Sequence, residues 1–187
     1  MRVMKALVIG ASLAALTGST ATPAEANESV QRPYKTKLTG VVEITSACSV
    51  GVSTLTCQAE WFSVETGTHI GKATSTAAGS VSLDTSAPCE DSEGRAGVVV
   101  TSVRQGVIVA GNGSELVFEA DTTGCSVQEN GLDLTESFGL LTFTDGSGRF
   151  VGASGTIDLI EETAGDTVPW PGSSFQTVGS TIGIINY

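Results

Sequence analysis

From Lys35 onward, short runs of apolar and β-branched residues alternate with clusters of Gly, Ser, Asn and Asp. This pattern is typical of an all-β domain, because polar turn residues separate strands whose side chains alternate between two faces. No long stretch shows the 3.6-residue period of an amphipathic helix. The pattern predicts eight strands, at residues 36–46, 54–64, 69–82, 96–110, 115–120, 138–144, 149–161 and 174–185.

The arrangement of these strands follows from their turns and their number. Gly111–Gly113 and Asp145–Gly148 each predict a hairpin loop. Residues 87–95 and 122–136 are polar and are predicted to be longer loops. Closing eight mainly antiparallel strands into a barrel removes the exposed edges that an open sheet has to protect. We therefore predict an all-β fold, an eight-stranded mainly antiparallel barrel, with a two-sheet β-sandwich as the alternative.

The first 26 residues have the pattern of a secretory signal peptide. Arg2 and Lys5 precede an apolar run of about a dozen residues, shorter than the roughly 20 that a membrane-spanning helix needs, and Ala24 and Ala26 follow at A-x-A spacing. We predict that residues 1–26 are removed and that residues 27–34 form a flexible mature terminus. Residues 35–187 then form a single barrel domain of a secreted or periplasmic protein.

The four cysteines predict two disulfide bonds in such an exported chain. Cys48 and Cys57 flank a turn-like stretch, and Cys89 and Cys125 both lie in polar segments. Among the three ways of pairing, we therefore favour Cys48 with Cys57 and Cys89 with Cys125. No metal site is predicted, because the chain has one histidine and no short C-x-x-C pairs.

The charge balance excludes several partners. Of the 187 residues, 9 are basic and 20 are acidic, for a net charge of −11. Removing residues 1–26 takes away two basic residues and one acidic residue, which leaves 7 basic and 19 acidic side chains and a net charge of −12. Nucleic acids and anionic membrane surfaces need clustered Lys and Arg. We therefore expect no nucleic-acid partner and no binding to anionic membrane surfaces. No segment after residue 26 is long and apolar enough to span a membrane, so we expect no stable membrane insertion, and no cofactor is assigned.

Candidate ligand-binding side chains are acids and tryptophans. Glu43, Glu60 and Glu119 fall within predicted strands, where each faces either water or a pocket. Glu60 and Glu119 lie opposite the apolar faces of their strands, so they point inward only if the outer face packs against another subunit. Trp61 lies on an apolar face, and Trp170 stands in a Pro-Trp-Pro-Gly turn suited to a lid. No catalytic residue is assigned.

A family resemblance is carried mainly by residues 146–155, GSGRFVGASG. They resemble the glycine-rich "GTGRFxGATG" hairpin of the allene oxide cyclase and dirigent barrel superfamily, which includes many exported bacterial proteins. Weaker echoes occur at residues 68–72, 111–116 and 183–187. The resemblance implies an eight-stranded barrel with a pocket. It implies no reaction, because in that superfamily this hairpin is scaffold.

The hairpin also has a direct physical interpretation. Gly146 and Gly148 are suited to positive φ in the turn, and Phe150 is suited to filling one end of the barrel. A calcium loop starting at Asp145 would place Arg149 and Thr156 at ligand positions, which excludes it.

Three functions remain open from the sequence. The first is binding of a small, mostly apolar ligand. The alternatives are an isomerase or cyclase of the allene oxide cyclase type, and an envelope or interaction protein that assembles as a homodimer or homotrimer.

Overall fold

A computed structural model describes residues 30–46, 48–166 and 171–187. Within these ranges the chain forms β-strands and one short 3-10 turn, Gly148–Phe150. The strands are β1 (Gln31–Ile44), β2 (Ser49–Val50), β3 (Thr54–Gly67), β4 (Gly71–Glu90), β5 (Ala96–Ala110), β6 (Glu115–Glu129), β7 (Leu132–Gly146), β8 (Gly155–Asp166) and β9 (Ser174–Asn186).

Eight of these strands close into an antiparallel barrel. Neighbours follow the order β1-β9-β8-β7-β6-β5-β4-β3, and β1 pairs with β3 to complete the ring. The short strand β2 pairs with the start of β3, outside the ring. The predicted eight-stranded barrel is confirmed, and the β-sandwich alternative is excluded by the β1–β3 pairing.

One end of the barrel is filled by large apolar side chains. Phe150 has no exposed surface, and its ring meets that of Tyr187 edge-on at a centroid distance of 5.2 Å. Leu116 and Ile185 are also fully buried, and Tyr34 packs edge-on against Phe143 at 5.1 Å. The interpretation of Phe150 as the residue that fills a barrel end is thus confirmed.

The glycine-rich turn that carries Phe150 depends on Gly148. Its φ is +62°, and a Cβ added there would lie 2.5 Å from Ser114 Oγ. An L-residue would therefore face both an unfavourable backbone conformation and a steric clash. Gly146 does not have positive φ as expected, but its Cβ position is blocked by backbone oxygens of Phe150 and Glu115.

The main difference from the predicted elements is the β6–β7 hairpin. Residues 122–136 were predicted to be a loop, but β6 continues to Glu129 and β7 begins at Leu132. Thr122 and Ser126 point inward and are buried there. At the end of the barrel opposite Phe150, the interior wall formed by β6 and β7 is polar, so these two strands lack the alternation of apolar and polar residues that marks a strand elsewhere.

The N-terminal boundary also differs. β1 begins at Gln31, and Tyr34 is buried in the core, so residues 31–34 are strand rather than the flexible terminus expected there. The packing of Tyr34 on Phe143 fixes the start of β1 against the apolar end of the barrel. The predicted signal peptide, residues 1–26, lies outside the described residues.

Both disulfides pair as predicted. Cys48 bonds Cys57 on β3, and Cys89 on β4 bonds Cys125 on β6. Their Cα atoms are 4.2 Å and 5.8 Å apart. In the described ranges no helix has the length and apolar character required to cross a membrane.

Candidate ligand-binding cavity

A cavity opens toward the end of the barrel opposite Phe150. Its volume is about 80 Å³. One water needs about 10–15 Å³ of such space, so the cavity holds several waters or one small organic molecule. Side chains from all eight barrel strands line it, so the closed sheet fixes its shape.

The cavity has an apolar side and a polar side. The apolar lining consists of Val42, Ile44, Trp61, Val81, Leu83, Val100 and Phe175. The polar lining includes Asp133, Ser102 and four hydroxyl side chains of β6, β7 and β8. These four are Thr122, Thr135, Ser137 and Thr163. Such a site favours a ligand with an apolar body and a few hydrogen-bonding groups, because the apolar side supplies burial and the hydroxyls supply orientation.

A buried ion pair forms the inner end of the cavity. Arg104 Nη2 donates a hydrogen bond to Glu161 Oε1 at 2.7 Å, and both side chains are more than nine-tenths buried. The Arg104 guanidinium also lies 5.0 Å from the centroid of the Trp61 ring. Ion pair and cation–π contact together hold the guanidinium in place, so the inner end of the cavity is a fixed polar surface.

Behind this ion pair lies a smaller cavity of about 20 Å³, which has room for one water. It shares Trp61, Arg104 and Glu161 with the main cavity and adds Glu65 and Ser75. The main cavity, the ion pair and the small cavity therefore follow one another as a path along the barrel interior.

Glu65 is the most perturbed acid of this path. Only 4% of the residue is exposed, and its Oε2 has no hydrogen-bond partner. Burial raises the pKa of Glu65 from 4.5 to about 7, and the nearby Glu161 carboxylate adds to the rise. Hydrogen bonds from Ser75 and Thr36 and the charge of Arg104 oppose it. The carboxyl therefore changes charge near neutral pH.

Two further buried groups titrate abnormally along the interior. Burial, followed by the charge of Glu65, raises the pKa of Tyr34, whose hydroxyl also lacks a hydrogen-bond partner. Burial raises the pKa of Asp133 at the cavity mouth, although hydrogen bonds from Ser126 and Gln128 oppose the rise. Among the described residues, the barrel interior thus holds the carboxyls of Glu65, Asp133 and Glu161 and the guanidinium of Arg104, and its charge depends on pH.

The structure separates the five ligand-binding candidates of the sequence. Trp61 is buried and lines both cavities. Glu43, Glu60 and Glu119 lie on the outer face, where Glu43 is directly opposite Glu60 and Glu119 accepts a hydrogen bond from Gln105. These three acids are therefore not part of the cavity, because the apolar side of each strand faces inward. Trp170 lies outside the described residues.

The three charged residues at the centre of the site were missed, although alternation places each of them inside. Residues an even number of positions apart on a strand face the same side. Glu65 is four positions from the buried Trp61 on β3. Arg104 is likewise four positions from Ile108 on β5, and Glu161 is two positions from Leu159 on β8. The rule that sends Glu60 outward thus sends Glu65 inward. The predicted strand 54–64 ends one residue before Glu65, whereas Arg104 and Glu161 lie within the predicted strands 96–110 and 149–161.

The remaining chemistry-bearing groups suit neither a catalytic triad nor a metal centre. His69 stands in the turn between β3 and β4 with φ +65°, near the Tyr187 ring at a centroid distance of 6.3 Å. In the part of the chain that the structure describes, no three His, Cys, Asp or Glu side chains lie close enough together to hold a metal ion.

Comparison of the chain with protein-family models, with characterised proteins and with solved structures gives no significant match. The resemblance to the allene oxide cyclase and dirigent barrels therefore stays a prediction, carried by residues 146–155.

Proposed function

We propose that this protein is an exported barrel that binds a small, mostly apolar ligand carrying a few hydrogen-bonding groups. The observation that carries the proposal is the two-sided cavity, with Trp61 and Phe175 facing a set of hydroxyl side chains inside a closed sheet. The two disulfides support export, because such bonds persist in oxidising compartments.

The first test is native mass spectrometry of the protein purified from its own host, in which a co-purifying mass supports binding. The second test is titration with 2-naphthol, which has an apolar body and one hydroxyl, followed by calorimetry. Ser102→Phe would fill the cavity from inside, whereas Val103→Phe places the same ring on the outer face, where Val103 is 56% exposed. We expect binding to be lost in the first variant and kept in the second.

Two results would contradict ligand binding. One is the absence of any co-purifying mass together with no heat of binding for 2-naphthol. The other is equal binding by Ser102→Phe and by Val103→Phe, since a ligand on the outer surface would not respond to a filled cavity.

Glu65 favours a second candidate function, an isomerase or cyclase. General acid–base catalysis works best when the pKa of the group lies near the working pH, and burial raises that of Glu65 to about 7. Because the Arg104–Glu161 pair separates Glu65 from the main cavity, the proton would pass through the small cavity, which has room for one water. The co-purified ligand, incubated with the protein in D₂O, should then gain deuterium, as detected by mass. Glu65→Gln should abolish this exchange and retain binding, and equal exchange in both proteins would rule out the role of Glu65.

A further inference from the structure

The open end of the main cavity brings a buried carboxyl and an aromatic ring into one row of the barrel. Asp133 on β7 pairs with Gly165 on β8, and Gly165 pairs with Phe175 on β9. Asp133 and Phe175 both line the cavity. Neighbouring strands are about 4.8 Å apart, so the Cα atoms of these two residues are about 10 Å apart and one bound molecule can contact both side chains.

Gly165 leaves the wall between these two side chains open. A Cβ on Gly165 would overlap Cδ1 of the Phe175 ring, so the ring lies over the glycine, on the side of β9 that faces Asp133. The Trp61 ring is already in contact with the guanidinium of Arg104, whereas no cation of the described chain lies over Phe175. The Phe175 ring is therefore available to a ligand beside Asp133.

The Asp133 carboxyl is a buried acid without a compensating charge. The other two charged side chains that line the cavity, Arg104 and Glu161, pair with each other, and Asp133 forms no ion pair within the described chain. Only 8% of Asp133 is exposed, and its hydrogen bonds come from the uncharged Ser126 and Gln128. Burial raises its pKa, so the protein stabilises the ionised carboxylate less than water does. A positive charge within about 4–6 Å would offset this cost, and an anion would add to it.

The surface around the cavity opening has the same sign of charge. The β4–β5 and β6–β7 hairpins end there, and their residues 90–95 and 129–136 include six acids against one base, Arg95. Arg95 is itself paired with three of these acids, Asp91, Glu93 and Glu129. A negative field at the mouth of a cavity raises the local concentration of cations and the rate at which they associate.

We propose that the main cavity binds an organic cation, a protonated amine on an apolar body, with its ammonium group between Asp133 and the Phe175 ring. This inference rests on the proposed function and narrows it to one class of ligand. The ammonium group donates hydrogen bonds to the Asp133 carboxylate and makes a cation–π contact with the ring. The apolar body lies against the apolar side of the cavity, which includes Trp61.

Three naphthalenes of similar shape and different charge test the proposal: 2-naphthylmethylamine, 2-naphthylmethanol and 2-naphthoate. They are titrated calorimetrically into the protein at about pH 7.5, where an alkylammonium keeps its proton. The amine should have a Kd roughly tenfold or more below that of the alcohol, and the carboxylate should bind most weakly. The association rate of the amine, measured by stopped-flow fluorescence, should fall with added salt, whereas that of the alcohol should not.

Substitutions test the two contacts of the ammonium group separately. Asp133→Asn keeps the shape of the side chain without its charge and should remove the advantage of the amine over the alcohol. The matched control is Asp158→Asn, which removes a carboxyl from the outer face of β8 and should keep that advantage. Phe175→Leu keeps an apolar side chain without a ring and should weaken the amine about two- to fivefold more than the alcohol. Circular dichroism confirms that each variant is folded.

The outcomes separate this inference from the proposed function. Equal binding of the amine and the alcohol overturns the inference alone, whereas no binding of any of the three compounds overturns both. Tightest binding of 2-naphthoate overturns it in favour of Arg104 as the partner of an anionic ligand. An amine advantage that persists in Asp133→Asn also contradicts it, because the cation then lies elsewhere.

Discussion

Glu65 should make the protein less stable as the pH rises from acid to neutral. The carboxyl has an ordinary pKa of 4.5 in the unfolded chain, and burial raises its pKa to about 7 in the folded protein. Below pH 4.5 the group is protonated in both states and adds no pH dependence. Between these two values the folded protein holds the proton and the unfolded chain releases it. The free energy of unfolding then falls by about 1.4 kcal/mol per pH unit.

Over the whole window the loss amounts to about 3 kcal/mol. This is a large fraction of the stability of a typical domain, which is about 5–15 kcal/mol. Above pH 7 both states are ionised and the contribution of Glu65 levels off. Glu65→Gln keeps a neutral side chain of the same shape in the barrel and should remove this slope. The free energy of unfolding of the variant, relative to that of the wild type, should therefore rise by about 3 kcal/mol from acid to neutral pH.

Urea unfolding followed by circular dichroism, from about pH 4 to about pH 8 with the disulfides intact, measures the effect. The matched control is Glu60→Gln, which removes an exposed carboxyl from the same strand and should keep the wild-type slope. Equal pH slopes for the wild type and Glu65→Gln would refute the reasoning, because Glu65 would then have an ordinary pKa in the folded protein.

Three other outcomes follow from the structure. Phe150→Ala removes a ring with no exposed surface and should lower the free energy of unfolding by about 3–5 kcal/mol; an unchanged melting temperature would show that the ring is not buried. Glu161→Gln leaves the guanidinium of Arg104 unpaired inside the barrel and should cost about 3–5 kcal/mol in urea unfolding, most of which the double variant Arg104→Met/Glu161→Leu should recover. Of the disulfides, Cys89–Cys125 spans 36 residues and Cys48–Cys57 spans 9, so replacing the first pair by Ala should cost about 1 kcal/mol more than replacing the second. Equal losses for the two pairs would contradict the chain-entropy explanation.

Local pattern determined most of the fold. Strand alternation, as in residues 55–61, sets which side of each strand is buried, and hairpin loops such as Gly111–Gly113 set the antiparallel order. The Cys48–Cys57 bond and the burial of Phe150 also followed from neighbouring residues, and Cys89–Cys125 is the pair that then remains. These features depend on short stretches of chain, in which backbone sterics and the period of two are decisive.

The same rules failed where the interior is polar. Residues 122–136 have hydroxyls and one carboxyl on the side that faces the cavity, so hydrophobicity predicted a loop where the hairpin of β6 and β7 stands. Once the barrel closes, pairing with β5 and β8 satisfies the backbone N–H and C=O groups of this hairpin, whichever side chains it carries.

Only the tertiary structure decided the site. Glu65, Arg104 and Glu161 lie on β3, β5 and β8, and their parity shows that each points inward. Parity does not show which residues share a level of the barrel, because that depends on the register of every ladder between them and on the tilt of the strands. Closure of β1 onto β3 sets those registers together, and so it places the Arg104–Glu161 pair between Glu65 and the cavity.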